Sequence, residues 1–147
     1  MNLAIILKGT KGTGKTTTIK IVYDLIKSTY KNISITKIDR YIIDIAYIIT
    51  IDKLKIGILS QGDIDDTRAR KRVHRTLKKF FENNCDVILC VSRTDRSKHT
   101  QDLLNILTIN NFEICSFDKV SDYDDEKKAK EIFDKLTEYI SRFKGKF

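Results

Sequence analysis

Short apolar runs that stop at turn residues alternate along this chain with stretches in which apolar side chains recur every three or four positions. Residues 2–8, Asn-Leu-Ala-Ile-Ile-Leu-Lys, form a continuous apolar run ended by Gly9, which suits a strand buried on both faces. Ile19, Val22, Leu25 and Ile26 then recur at helical spacing and predict a helix over residues 15–29. Residues 33–38 alternate as Ile-Ser-Ile-Thr-Lys-Ile, a second strand ending on Asp39-Arg40. Residues 41–51 and 55–59, rich in β-branched side chains, are predicted as two strands a turn apart, hence a hairpin.

The second half repeats the alternation. Turn residues Ser60-Gln-Gly-Asp63 and the segment 64–67 lead into a helix of about 17 residues with Ala69, Val73, Leu77 and Phe80 on its core face. Residues 86–91 form another buried-strand run, and 92–100 a polar, basic loop. A short helix over 101–108 places Leu103, Leu104 and Leu107 on one side, and 112–117 is the last strand. A final helix over 124–143 carries Ala129, Ile132, Phe133, Leu136, Ile140 and Phe143, with Asp122, Asp124, Asp125 and Glu126 at its start to complement the helix dipole. Strands alternating with helices predict an α/β fold in one domain, 1–147. Its sheet is mostly parallel, of about five strands, with the hairpin as an antiparallel element at one edge and helices on both faces.

Composition changes this picture little. A chain of 147 residues with 41% hydrophobic content has enough apolar material for one core. No apolar run is long enough to span a bilayer, so a protein without membrane association or cleaved signal is expected. Cys85, Cys90 and Cys115 match neither a disulfide framework nor, with His74 and His99, a zinc pattern, and suit reduced thiols of the cytoplasm. The formal charge of +8, from 28 basic and 20 acidic residues, points to anionic partners without naming one.

The chemistry is concentrated at residues 9–16, Gly-Thr-Lys-Gly-Thr-Gly-Lys-Thr, which match GxxxxGK[ST] at every fixed position. Small residues let such a backbone curl so that its N–H groups point at phosphate oxygens, backed by the positive end of the following helix. Gly9, Thr10, Lys11, Gly12, Thr13, Gly14, Lys15, Thr16 and Thr17 are the expected nucleotide-binding residues, with Lys15 reaching the β- and γ-phosphates and the Thr16 hydroxyl on magnesium. In this motif and its strand–helix setting the chain resembles the P-loop NTPases. The resemblance implies a three-layer P-loop sandwich that binds ATP with Mg2+ and acts on the β–γ bond.

Further site residues follow from the resemblance. P-loop proteins commonly carry an acid after a second buried strand; here Ser60 stands at that place after residues 56–59, and Asp63 is the nearest acid, a candidate for magnesium, with Gln61 to orient water. Asp39, beside Arg40, is placed like the acid that accepts a hydroxyl proton in nucleoside and polynucleotide kinases. Arg93, with Arg96 and Lys98, stands where small kinases carry a basic lid over the transferred phosphate. Over residues 68–79 the basic helix, with Arg68, Arg70, Lys71, Arg72 and Arg75, would suit nucleic acid or an acidic protein. An ATPase or nucleotide-dependent switch is the leading expectation and a kinase the alternative. A GTPase ranks below both, because Ser92-Arg-Thr-Asp95 lacks the Asn and Lys of the guanine-reading NKxD.

Overall fold

In the computed structural model, residues 2–10, 13–38, 45–60, 67–93, 98–119 and 124–144 are described. Ten elements succeed one another: β1 (Asn2–Lys8), α1 (Lys15–Thr29), β2 (Ile33–Lys37), β3 (Ala46–Ile51), β4 (Leu54–Leu59), α2 (Thr67–Glu82), β5 (Val87–Ser92), α3 (Lys98–Ile109), β6 (Phe112–Asp118) and α4 (Asp125–Lys144). The strands form one sheet in the order β2-β3-β4-β5-β1-β6. Only β3 runs against its neighbours; β4, β5, β1 and β6 are mutually parallel.

Because successive strand residues face opposite sides, the apolar run of β1 supplies two cores at once. Leu3, Ile5 and Leu7 pack with Ile19, Val22 and Ile26 of α1 and with Ala129, Ile132, Leu136 and Ile140 of α4. Ala4 and Ile6 point the other way, to Val73, Leu77 and Phe80 of α2 and Leu103 and Leu107 of α3. Helices thus cover both faces, in three layers. Among the described residues, no helix is long and apolar enough to cross a membrane.

Three details differ from the sequence reading. The sheet has six strands, and the β3–β4 hairpin is not an edge, because β2 pairs outside β3. Its turn is the two residues Asp52-Lys53, with Asp52 at a φ of 55°. The helix expected from residue 101 begins at Lys98, because buried Thr100 bonds to the end of β5, so Lys98 belongs to α3 and not to a loop. The side chain of Ala69, expected on the core face of α2, lies outside the described residues.

Helix ends obey local rules. Asn84 and Asn111 take left-handed conformations, φ 58° and 67°, just past α2 and α3, where asparagine is tolerated best after glycine. The three cysteines are free, and burial pushes the Cys85 and Cys90 thiols up to about 12, so both stay protonated as small hydrophobes.

Gly57 of β4 faces α2, and a Cβ there would lie 2.7 Å from the ring of Phe80, which is fully buried and has nowhere to move. Gly57→Ala should therefore destabilise the fold by about 1–3 kcal/mol through overpacking. Chemical denaturation should show a lower midpoint with an unchanged slope.

Candidate functional site

The C-terminal ends of β2, β4, β5, β1 and β6 share one edge of the sheet, and the N-termini of the four helices follow from it. In open α/β sheets this is the edge where ligands bind. The glycine-rich loop leaves β1, which lies between β5 and the edge strand β6. On one side the Gly9 N–H donates to Ser92 O of β5 at 3.1 Å; on the other, the N–H of Lys119, just past β6, donates to Lys8 O at 2.7 Å. The chain is thereby gripped by both neighbours at the point where it turns.

Within the loop, Thr13 Oγ1 donates to Thr10 O at 2.8 Å. Gly14 adopts φ 83°, a left-handed conformation that glycine takes without strain, and forms the N-cap of α1. No described side chain caps α1 and its first turn holds no acid, which leaves its positive end facing the loop. Lys15 reaches back across the loop, its Nζ donating to Gly9 O at 2.7 Å and Thr10 O at 2.9 Å. Thr16 Oγ1 has a long contact, 3.5 Å, to Ser60 O at the end of β4, and Thr17 is exposed. The structure therefore brings together Gly9, Thr10, Thr13, Gly14, Lys15 and Thr16. Lys11, Gly12, Asp39, Arg40, Gln61, Asp63 and Arg96 lie outside the described residues.

Ser60 is buried, and its side chain is committed elsewhere: Oγ accepts the Ile45 N–H at 2.8 Å, while its own N–H donates to Ile45 O at 2.9 Å. It splices β4 to the start of β3 and offers Thr16 only its carbonyl. Moreover, β4 is not next to β1; β5 lies between them. The strand end adjoining the loop is thus Ser92-Arg93, which puts half-buried Arg93 one residue from the carbonyl that holds Gly9. Ser92 Oγ and Thr100 Oγ1 are 2.7 Å apart, and Thr100 Oγ1 also donates to Arg93 O at 3.1 Å, so the first turn of α3 anchors this corner. Nearby, partial burial and then Arg70 of α2 push the His99 pKa down, with His74 and Lys98 acting in the same direction and Asp102 against it.

The outer ridge of α2 is basic. Val73, Thr76, Leu77 and Phe80 are buried against the sheet, leaving Arg68, Lys71, Arg75 and Lys78 exposed at positions i, i+3, i+7 and i+10. At 1.5 Å per residue they span about 15 Å. Lys78 makes a long ion pair with Glu82, at 3.9 Å.

Sequence reasoning missed Lys119. This fully buried side chain lies 2.6 Å from Asp124 Oδ1 and 2.7 Å from Asp125 Oδ1, and its carbonyl oxygen would be 2.5 Å from a Cβ on Gly9. The acids expected only to complement the dipole of α4 hold this ammonium as well. A lysine at the end of a strand was the available signal, but only the β1–β6 pairing places it beside the loop. Burial opposes the Lys119 charge, yet the bonds to Asp124 and Asp125 prevail and raise its pKa above 10.5; the Lys119 bond, opposed in part by desolvation, holds Asp124 below 3.8.

The two partners respond to pH in opposite directions. A depressed carboxylate contributes stability above its unfolded pKa and loses it as pH falls through the folded value; a raised lysine contributes below its unfolded pKa and loses it as pH rises through the folded one. The advantage of the wild type over Asp124→Asn in urea unfolding should thus be flat through neutral pH and shrink below about pH 3.8. Comparison with known proteins finds no family model, no curated protein and no solved structure that matches this chain.

Proposed function

We propose that the chain is a P-loop NTPase that binds ATP with Mg2+ and acts on the β–γ phosphate bond, as an ATPase or nucleotide-dependent switch. The observation that carries this reading is the arrangement at the start of α1. A helix end opened by left-handed Gly14 has no described side-chain cap, and the Lys15 ammonium bonds two carbonyls of the same loop. A phosphate chain would accept from the first-turn N–H groups and take Lys15 from those carbonyls.

The donor set suits magnesium held largely by its substrate. No described group of three His, Cys, Asp or Glu residues forms a cation cage, and Mg2+ ordinarily takes one or two protein oxygens plus phosphates and water. Thr16 would supply one such oxygen, and Asp63 is the candidate for a second. The ion supplies charge neutralisation to the phosphate chain. Lys15 and Arg93 would stabilise the charge that develops on the γ-phosphoryl oxygens as the bond breaks.

A kinase is the second reading, favoured by Arg93 beside Gly9 and by Asp39, the candidate proton acceptor of a substrate hydroxyl. The three free thiols agree with a reducing, cytoplasmic setting. For the basic ridge of α2 we propose nucleic acid or an acidic protein as partner. Its apolar face is used by the core, so binding would be through charge.

Calorimetry should show Mg-ATP binding that Lys15→Ala abolishes; equal affinity in the variant would defeat the reading. With γ-labelled ATP and a panel of nucleosides, nucleotides and oligonucleotide ends, free phosphate alone supports the ATPase, whereas label on an acceptor establishes the kinase. Binding of a duplex oligonucleotide should weaken steeply with salt. Lys71→Gln with Arg75→Gln should lower the log–log slope by about 0.9 for each phosphate that the two side chains neutralise. A slope unchanged by both substitutions would exclude the ridge.

A further inference from the structure

A buried ammonium is costly unless its donors and its charge are both met, and Lys119 has two carboxylates against it. Within this described trio the charges sum to one negative. The two acids are not equivalent. Asp124 keeps 32% of its side chain exposed, so water shares its charge. Asp125 is only 19% exposed, and its Oδ1 meets three groups at once: Lys119 Nζ at 2.7 Å, Thr18 Oγ1 at 3.4 Å, and Gly14, on which a Cβ would lie 2.6 Å away. A carboxylate therefore presses on the glycine that opens α1, the place where phosphate charge gathers if the chain binds ATP.

Lys119 also touches the loop through its backbone. Its N–H extends the β1–β6 ladder to Lys8 O, and its carbonyl lies against Gly9 closely enough to exclude any larger residue. One residue thus meets the first glycine through its main chain and, by way of Asp125, the last through its side chain. We propose that Lys119 is a positioning residue of the nucleotide site: it cancels the charge of Asp125 against Gly14 and holds the loop from the β6 side, keeping the field there attractive to phosphate. This rests on the ATP-binding reading above.

The neutral, similarly long Lys119→Met leaves Asp125 uncompensated at the loop. Asp125→Asn keeps the shape and removes the charge. Titration of a non-hydrolysable ATP analogue with Mg2+ into the full chain, with folding checked by circular dichroism, should give about tenfold weaker binding for Lys119→Met, the size of a typical coupling between neighbouring sites. Asp125→Asn should bind at least as tightly as the wild type, and the double variant should recover to within about threefold of it.

Wild-type affinity in Lys119→Met, or a double variant no better than that single one, would overturn the electrostatic role. If Lys119→Met does not fold, Asp125→Asn still decides, since a folded variant that loses binding contradicts a harmful uncompensated carboxylate. A folded wild type that binds no analogue defeats the nucleotide reading and the positioning role with it; normal wild-type binding with any of the preceding results defeats the positioning role alone.

Discussion

Everything at the candidate site depends on how the chain leaves β1. A parallel strand in the interior of a sheet has a neighbour on each side, so its backbone is satisfied only while both neighbours run alongside. Here β5 and β6 stay in register with β1 through Lys8, paired with Ser92 and Asp118. Beyond that point the ladder continues by single bonds, Gly9 to Ser92 and Lys119 to Lys8. Glycine at position 9 is required by this crowding, since a side chain would meet the Lys119 carbonyl and the Thr13 hydroxyl together. The loop's shape is a consequence of the sheet as much as of its own composition.

Charge is placed with the same economy. Helix N-termini converge on one edge because the strands they follow are parallel, and their partial positive charges add there to Lys15, Arg68, Arg70, Arg93 and Lys98. Among the described residues, Asp124 and Asp125 are both engaged by Lys119. Their pairing with Lys119 offsets part of the negative charge at the start of α4.

The sequence made much of the fold legible because local periodicity and burial agreed. Leu3 to Leu7 of the first run, Ile19, Val22 and Ile26 of α1 and the α4 pattern from Ala129 to Ile140 occupy the cores they implied, whereas Leu25, expected with them, is only half-buried and belongs to neither. What periodicity does not encode is the lateral order of strands. Nothing in residues 54–59 says that β5 will separate them from β1, although Ser60 at their end still meets Thr16 through its carbonyl. Likewise Arg93 could be placed on a strand end from sequence, but its nearness to Gly9 needed the pairing of β5 with β1. The role of Lys119 was hidden for the same reason, and the helix dipole of α4 already accounts for Asp124 and Asp125 on local grounds. Residues 98–100 were assigned to a loop because their polarity hid the buried hydroxyl of Thr100.

The grip on Gly9 from both sides also fixes an order of events in time. The glycine-rich segment precedes its supports in the chain, since the atoms that hold its start, Ser92 O and the Lys119 N–H, belong to the second half. Sheets built from such distant pairings form slowly, because loop closure must precede the contacts that reward it. During synthesis the segment therefore lacks its β6-side support until β6 has emerged and docked.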